Sequence, residues 1–108
     1  MTLTLQDAQL VSWKIFRKIN DKLDPEKGKS WNPFVMVTDL LKEAGGVATA
    51  VKGLEGLESP DKCEAKEILA RGLNDLLYSV FVLAEHYGVN LDETFLQQVN
   101  DYLLGFLT

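Results

Sequence analysis

Apolar residues recur at helical spacing along most of the chain, and the gaps between the runs carry residues that start and stop helices. Leu5, Ala8, Ser12, Ile15, Phe16, Ile19 and Leu23 form a first stripe behind Thr4 and Asp7, which read as a capping pair. A helix to about Leu23 is expected. Pro25 and Gly28 then break the pattern, and the polar, basic stretch from Glu26 to Ser30 has no periodicity to bury, so it reads as a loop.

Asn32 before Pro33 pairs an N-cap residue with the imino acid that suits the first helical position. Val37, Leu40, Leu41, Ala44, Val47, Ala48 and Val51 continue it as one stripe, predicting a second helix to near Gly53. Gly45 and Gly46 fall inside it, although glycine costs a helix interior roughly 1 kcal/mol relative to alanine. Close helix packing or a lost functional side chain would account for them. Ser59 and Pro60 repeat the start signal, and a long third helix is expected from there to Gly88. Between Leu76 and Ala84 nearly every position is apolar, which predicts cover on more than one face. Asn90 and Glu93 then open a fourth helix carrying Leu91, Phe95, Leu96, Val99, Leu103 and Phe106.

The pattern therefore predicts an all-α chain forming a single domain over 1–108, four-helix bundle-like and completed by oligomerisation. With 108 residues, 46% hydrophobic and 25% charged, one core is what such a chain can build. The net charge of -5 argues against a nucleic-acid partner, because phosphate backbones call for a clustered cationic surface. Cys63 is the single cysteine, so neither an internal disulfide nor a cysteine-rich zinc site is expected. No apolar run reaches the length of a membrane span, the N-terminus lacks the order of a secretory signal, and a cytoplasmic location is expected.

Two segments carry a family resemblance. Ser30-Trp31-Asn32-Pro33-Phe34 leads into Leu40-Leu41-Lys42-Glu43-Ala44-Gly45-Gly46-Val47-Ala48. Downstream, Leu73-Asn74-Asp75-Leu76-Leu77-Tyr78-Ser79-Val80 precedes Leu83-Ala84-Glu85-His86-Tyr87-Gly88-Val89-Asn90-Leu91-Asp92. Together these resemble the MazG-like nucleotide pyrophosphohydrolases, in which one helix carries E-x-x-E, another carries E-x-x-D, and a glycine-bounded turn follows. The resemblance implies a MazG-type helical domain, magnesium as cofactor, and hydrolysis of a nucleoside triphosphate to monophosphate and pyrophosphate. Carboxylates at i and i+3 share a helix face, and two such helices offer hard oxygen donors to divalent cations. A metal cluster of that kind binds the triphosphate and lowers the pKa of the attacking water.

Carried over residue by residue, the resemblance places Glu43 and Asp75 as metal ligands, while the other two carboxylate positions fall on Gly46 and Gly72. The basic residues that the family tends to carry near the end of its last helix are missing from Val99 to Leu104. Two readings follow. In one, the metal site is degenerate, hydrolysis is weak or absent, and nucleotide binding or an interaction role remains. In the other, the chain is an active Mg-dependent pyrophosphohydrolase whose ligand set is completed by nearby acids or a partner subunit. Asp39, four residues before Glu43, is a further metal candidate. Trp31, Lys29 and Lys52 are candidates for substrate binding, by stacking and by phosphate contact respectively. The partners expected are nucleoside triphosphates and further copies of the chain as a dimer or tetramer.

Overall fold

The structure is a computed structural model that describes residues 2–23, 32–57 and 62–107, with side chains given for 2–21, 32–57 and 64–105. Four helices run through these residues: α1 (Leu5–Leu23), α2 (Pro33–Leu54), α3 (Lys62–His86) and α4 (Leu91–Leu107). No strand occurs among the described residues, and the chain is all-α. None of the helices is long and apolar enough to cross a membrane.

The starts follow the side chains that satisfy orphan amides. Asp7 N donates to Thr4 Oγ1 at 3.0 Å and Thr4 N donates back to Asp7 Oδ2 at 3.2 Å, the reciprocal box expected for α1. Val35 N donates to Asn32 Oδ1 at 3.0 Å, capping α2 ahead of Pro33. At α4, Asn90 Oδ1 accepts from Asp92 N at 3.0 Å and Glu93 N at 3.3 Å. The start expected for α3 at Ser59 and Pro60 lies outside the described residues.

Two helices stop the same way. Gly56 (φ 74) and Gly88 (φ 68) take the left-handed conformation that L side chains resist. Leu57 N reaches Lys52 O at 2.9 Å and Val89 N reaches Ala84 O at 2.9 Å, closing a Schellman turn at each end. The stop of α2 is thus set by Gly56, and the helix runs to Leu54, one residue past Gly53.

Contacts divide the chain into two compact units that share α3. One, residues 26–80, holds α2 and most of α3. Its helices run antiparallel, since Val47 meets Gly72 and the earlier Glu43 meets the later Ser79. Met36, Ala50, Gly53 and Ala65 are buried there. The other, residues 1–25 and 81–108, holds α1, α4 and the last turns of α3. Phe81, Val82 and Ala84 form its buried apolar group. Fully burying a side chain such as Val82 contributes roughly 1.5–3 kcal/mol.

The first stripe is only partly inward. Leu5, Ala8, Ser12 and Phe16 are half-buried, whereas Ile15 and Ile19 are exposed. The deepest residue of α1 is Gln9, which is 1% exposed. On α4, the large apolar side chains Phe95, Leu96, Tyr102 and Leu103 are all more than half exposed.

Candidate functional site

The α2–α3 pair brings the two matched segments to one place. Glu43 and Gly46 are one turn apart on α2, and Gly72 and Asp75 are one turn apart on α3. Gly46, Gly72 and Asp75, with Ile68 and Arg71, line a single open hollow of about 320 Å³. Three of the four positions that the family resemblance marks for carboxylates therefore border the same space.

The two glycines differ in what they permit. A Cβ built on Gly72 would lie 3.2 Å from Val47 Cγ2, so close approach of the helices favours glycine there. A Cβ on Gly46 meets nothing within 4 Å, and the same holds for Gly45. Close helix packing thus does not account for the pair in α2, and a side chain at residue 46 has room to project.

Glu43 is half-buried and accepts a hydrogen bond from Ser79 Oγ at 2.5 Å across the helix pair. The neighbouring Tyr78 phenol is pushed above its usual value of 10.0, first by burial and then by the negative charge of Glu43. Asp75 is exposed at the rim. Asp39 is exposed on α2 and is not among the residues lining the hollow, and Lys52 is exposed in the last turn of α2, likewise away from that lining. Trp31 and Lys29 lie outside the described residues.

The magnesium cluster that the resemblance implies asks for more oxygen donors than this set offers. Two carboxylates stand where four would be needed, one of them already hydrogen-bonded to Ser79, and the glycines contribute no side-chain oxygen. Among the described residues, no group of three or more His, Cys, Asp or Glu is placed to hold a metal ion. The residues present do not fit a two-metal cluster.

The chain is similar to the uncharacterized protein YvdC of Bacillus subtilis (strain 168), with 35% identity over 69 residues. That match covers 58% of this chain and 65% of the relative, so the chain spans less than two thirds of that protein's length. No family model matches the chain, and no solved structure matches it.

Two polar residues that matter were not legible as site residues. Ser79 lies inside the apolar run of α3 and is the partner of Glu43; a lone serine one helical turn beyond Asp75 is a weak signal in sequence. Gln9 lies inside the α1 stripe, and its amide joins three segments of the other unit. In the same unit His86 sits among rings, 5.6 Å from Trp13 and 4.8 Å edge-on to Tyr87. Trp13 in turn stacks on Phe16 at 5.9 Å.

Proposed function

We propose that this chain is a MazG-related protein whose metal site has decayed, with weak or absent hydrolysis of nucleoside triphosphates and a remaining nucleotide-binding or interaction role. The observation that carries this reading is the hollow itself: Gly46 and Gly72, the two positions without carboxylates, border it together with Asp75. Room for a side chain at Gly46 fits the loss of one that once projected there. Glu43, held by Ser79 beside a neutral Tyr78, is placed as a structural acceptor between two helices. Self-association as a dimer or tetramer belongs to the same proposal, motivated by the exposed apolar side chains of α4.

The test is magnesium-dependent pyrophosphate release from a panel of nucleoside and deoxynucleoside triphosphates, with Glu43→Ala and Asp75→Ala proteins as controls. No release above background from the folded protein is expected. Release that both substitutions abolish would instead make the chain a working pyrophosphohydrolase on half the usual ligand set.

A further inference from the structure

The α2–α3 pair meets along one stripe of each helix: Glu43 and Val47 on α2, Gly72 and Ser79 on α3. Met36, Ala50 and Ala65 are buried in line with them. An α-helix turns about 100° per residue, so the residue before a contact position and the residue after it point to opposite sides of the pair. Both helices are right-handed and they run antiparallel, which puts the residues before the contacts of α2 and of α3 on one side and those after them on the other. The hollow bears this out: Gly46 precedes Val47, Arg71 precedes Gly72, and both line it.

The opposite side has a different character. Val37, Ala44, Ala48 and Val51 each follow a contact position of α2, with Leu41 in the same line, and Leu73 and Val80 do so on α3, with Leu77 between them. None is charged, in a chain where 25% of residues are. Val37, Leu41, Val51, Leu73 and Leu77 are between 42 and 65% exposed. One face of the pair is thus an open polar hollow, and the other is an uncharged apolar surface built by both helices.

We infer that this apolar face packs on the same face of a second copy of the chain, so that two α2–α3 pairs make one four-helix bundle. The inference rests on the self-association proposed above and assigns it to α2 and α3. Each helix of such a bundle touches two neighbours and carries an apolar stripe for each. α2 and α3 each have both stripes and fill only one within the chain; a pair of helices of the same kind is what the empty stripes fit, and the chain itself supplies it. The size agrees. A helix of 22 residues is about 33 Å long, and two abreast are about 20 Å wide, giving a flat projection on the order of 600 Å² against the ~800 Å² of accessible surface that each partner of a stable dimer contributes. Because the face bears no charge, two copies of net charge -5 meet there without like charges opposed. The hollow lies on the far side of each pair, so the second copy adds no carboxylate to it.

The experiment is sedimentation equilibrium on the full chain and its variants, with circular dichroism to follow helix content. Leu41→Lys and Leu77→Lys each set a charge in the contact, and a weakening of association on the order of ten-fold or more is expected. Leu41→Ala/Leu77→Ala removes apolar area without adding charge and keeps good helix formers, so a smaller but measurable weakening is expected. Gly46→Lys, on the hollow side, and Phe95→Lys, on α4, are expected to leave the two-copy assembly intact.

Undiminished association in both lysine forms, or an assembly broken by Gly46→Lys or Phe95→Lys instead, would overturn the assignment and leave self-association standing. Should a lysine form lose helix content, the alanine form decides, and undiminished association there would overturn the assignment equally. A chain that stays monomeric at all concentrations would overturn both. None of these results bears on pyrophosphate release, so the nucleotide reading is decided separately.

Discussion

The two compact units treat polar groups in opposite ways. In the unit of α1 and α4, Gln9 is fully buried and nearly every capacity of its amide is used. Nε2 donates to Val89 O at 2.7 Å and to Glu85 Oε2 at 3.3 Å, and Oε1 accepts from Leu91 N at 2.8 Å. In the α2–α3 unit, polar groups border an open hollow where glycines stand in for side chains. A buried, satisfied amide rigidifies the turn between α3 and α4 and makes one arrangement strongly preferred. The hollow has Asp75 at its rim and no side chain from Gly46 or Gly72. The comparison separates a polar network closed within the protein from polar residues left open to solvent.

That contrast is broken most directly at Gln9. Replacing it by alanine leaves the part-buried Val89 O and Leu91 N without their partner, and the loss is expected to be about 1–3 kcal/mol. Urea unfolding followed by circular dichroism measures it; a loss below 0.5 kcal/mol, on the scale of an ordinary surface change, would show that the network is not a keystone. Asp92 acts beside it, accepting from Leu5 N and Gln6 N at 3.0 Å each and so capping α1 from the start of α4. Asp92→Ala is expected to cost about 1–2 kcal/mol, the upper range for a lost helix cap with a favourable charge at the dipole.

In the α2–α3 unit the expected sign is reversed. Gly46→Ala introduces a methyl group into open space on a helix and is expected to stabilise by roughly 0.5–1 kcal/mol. Gly72→Ala is expected to gain less, because its Cβ meets Val47 Cγ2 at 3.2 Å and the neighbour must give way. Thermal melts of the two variants rank them, and a larger gain at Gly72 would contradict the packing argument.

The smallest effect concerns Tyr78. Its folded-state value lies above the ordinary 10.0, so between the unfolded and folded values the native protein binds a proton that the unfolded chain has released. The associated stability is therefore complete below about pH 10 and is lost as pH rises through the folded value. Ultraviolet titration should find one tyrosine ionising late, and Glu43→Gln should bring it partly back, leaving the contribution from burial. A late tyrosine unmoved by that substitution would separate Glu43 from Tyr78.

The starts of α1, α2 and α4 were legible because their signals are local. Thr4 with Asp7, Asn32 before Pro33, and Asn90 each satisfy amides within three residues, so the chain itself contains the whole interaction. What escaped depends on distance. Gln9 looks like a surface residue within an apolar stripe, and only its partners 76 to 82 residues away make its burial possible. Asp92 reads as a first-turn acid of its own helix, while its carboxylate caps another. The positions marked by the resemblance can be read along the chain, but that Gly46, Gly72 and Asp75 border one hollow is a property of two helices lying side by side. The apolar stretch of α4 shows the limit of periodicity: it predicts a covered face and cannot say what covers it.

The central claim is that the hollow lacks the donors to hold a divalent cation, and metal binding tests it without reference to any substrate. Manganese titration, read by electron paramagnetic resonance, would compare the unaltered chain with Gly46→Glu and with Gly46→Glu/Gly72→Glu. The account predicts no saturable binding by the unaltered chain and binding gained as carboxylates are added. Tight, saturable binding by the unaltered chain that Glu43→Ala and Asp75→Ala remove would contradict it.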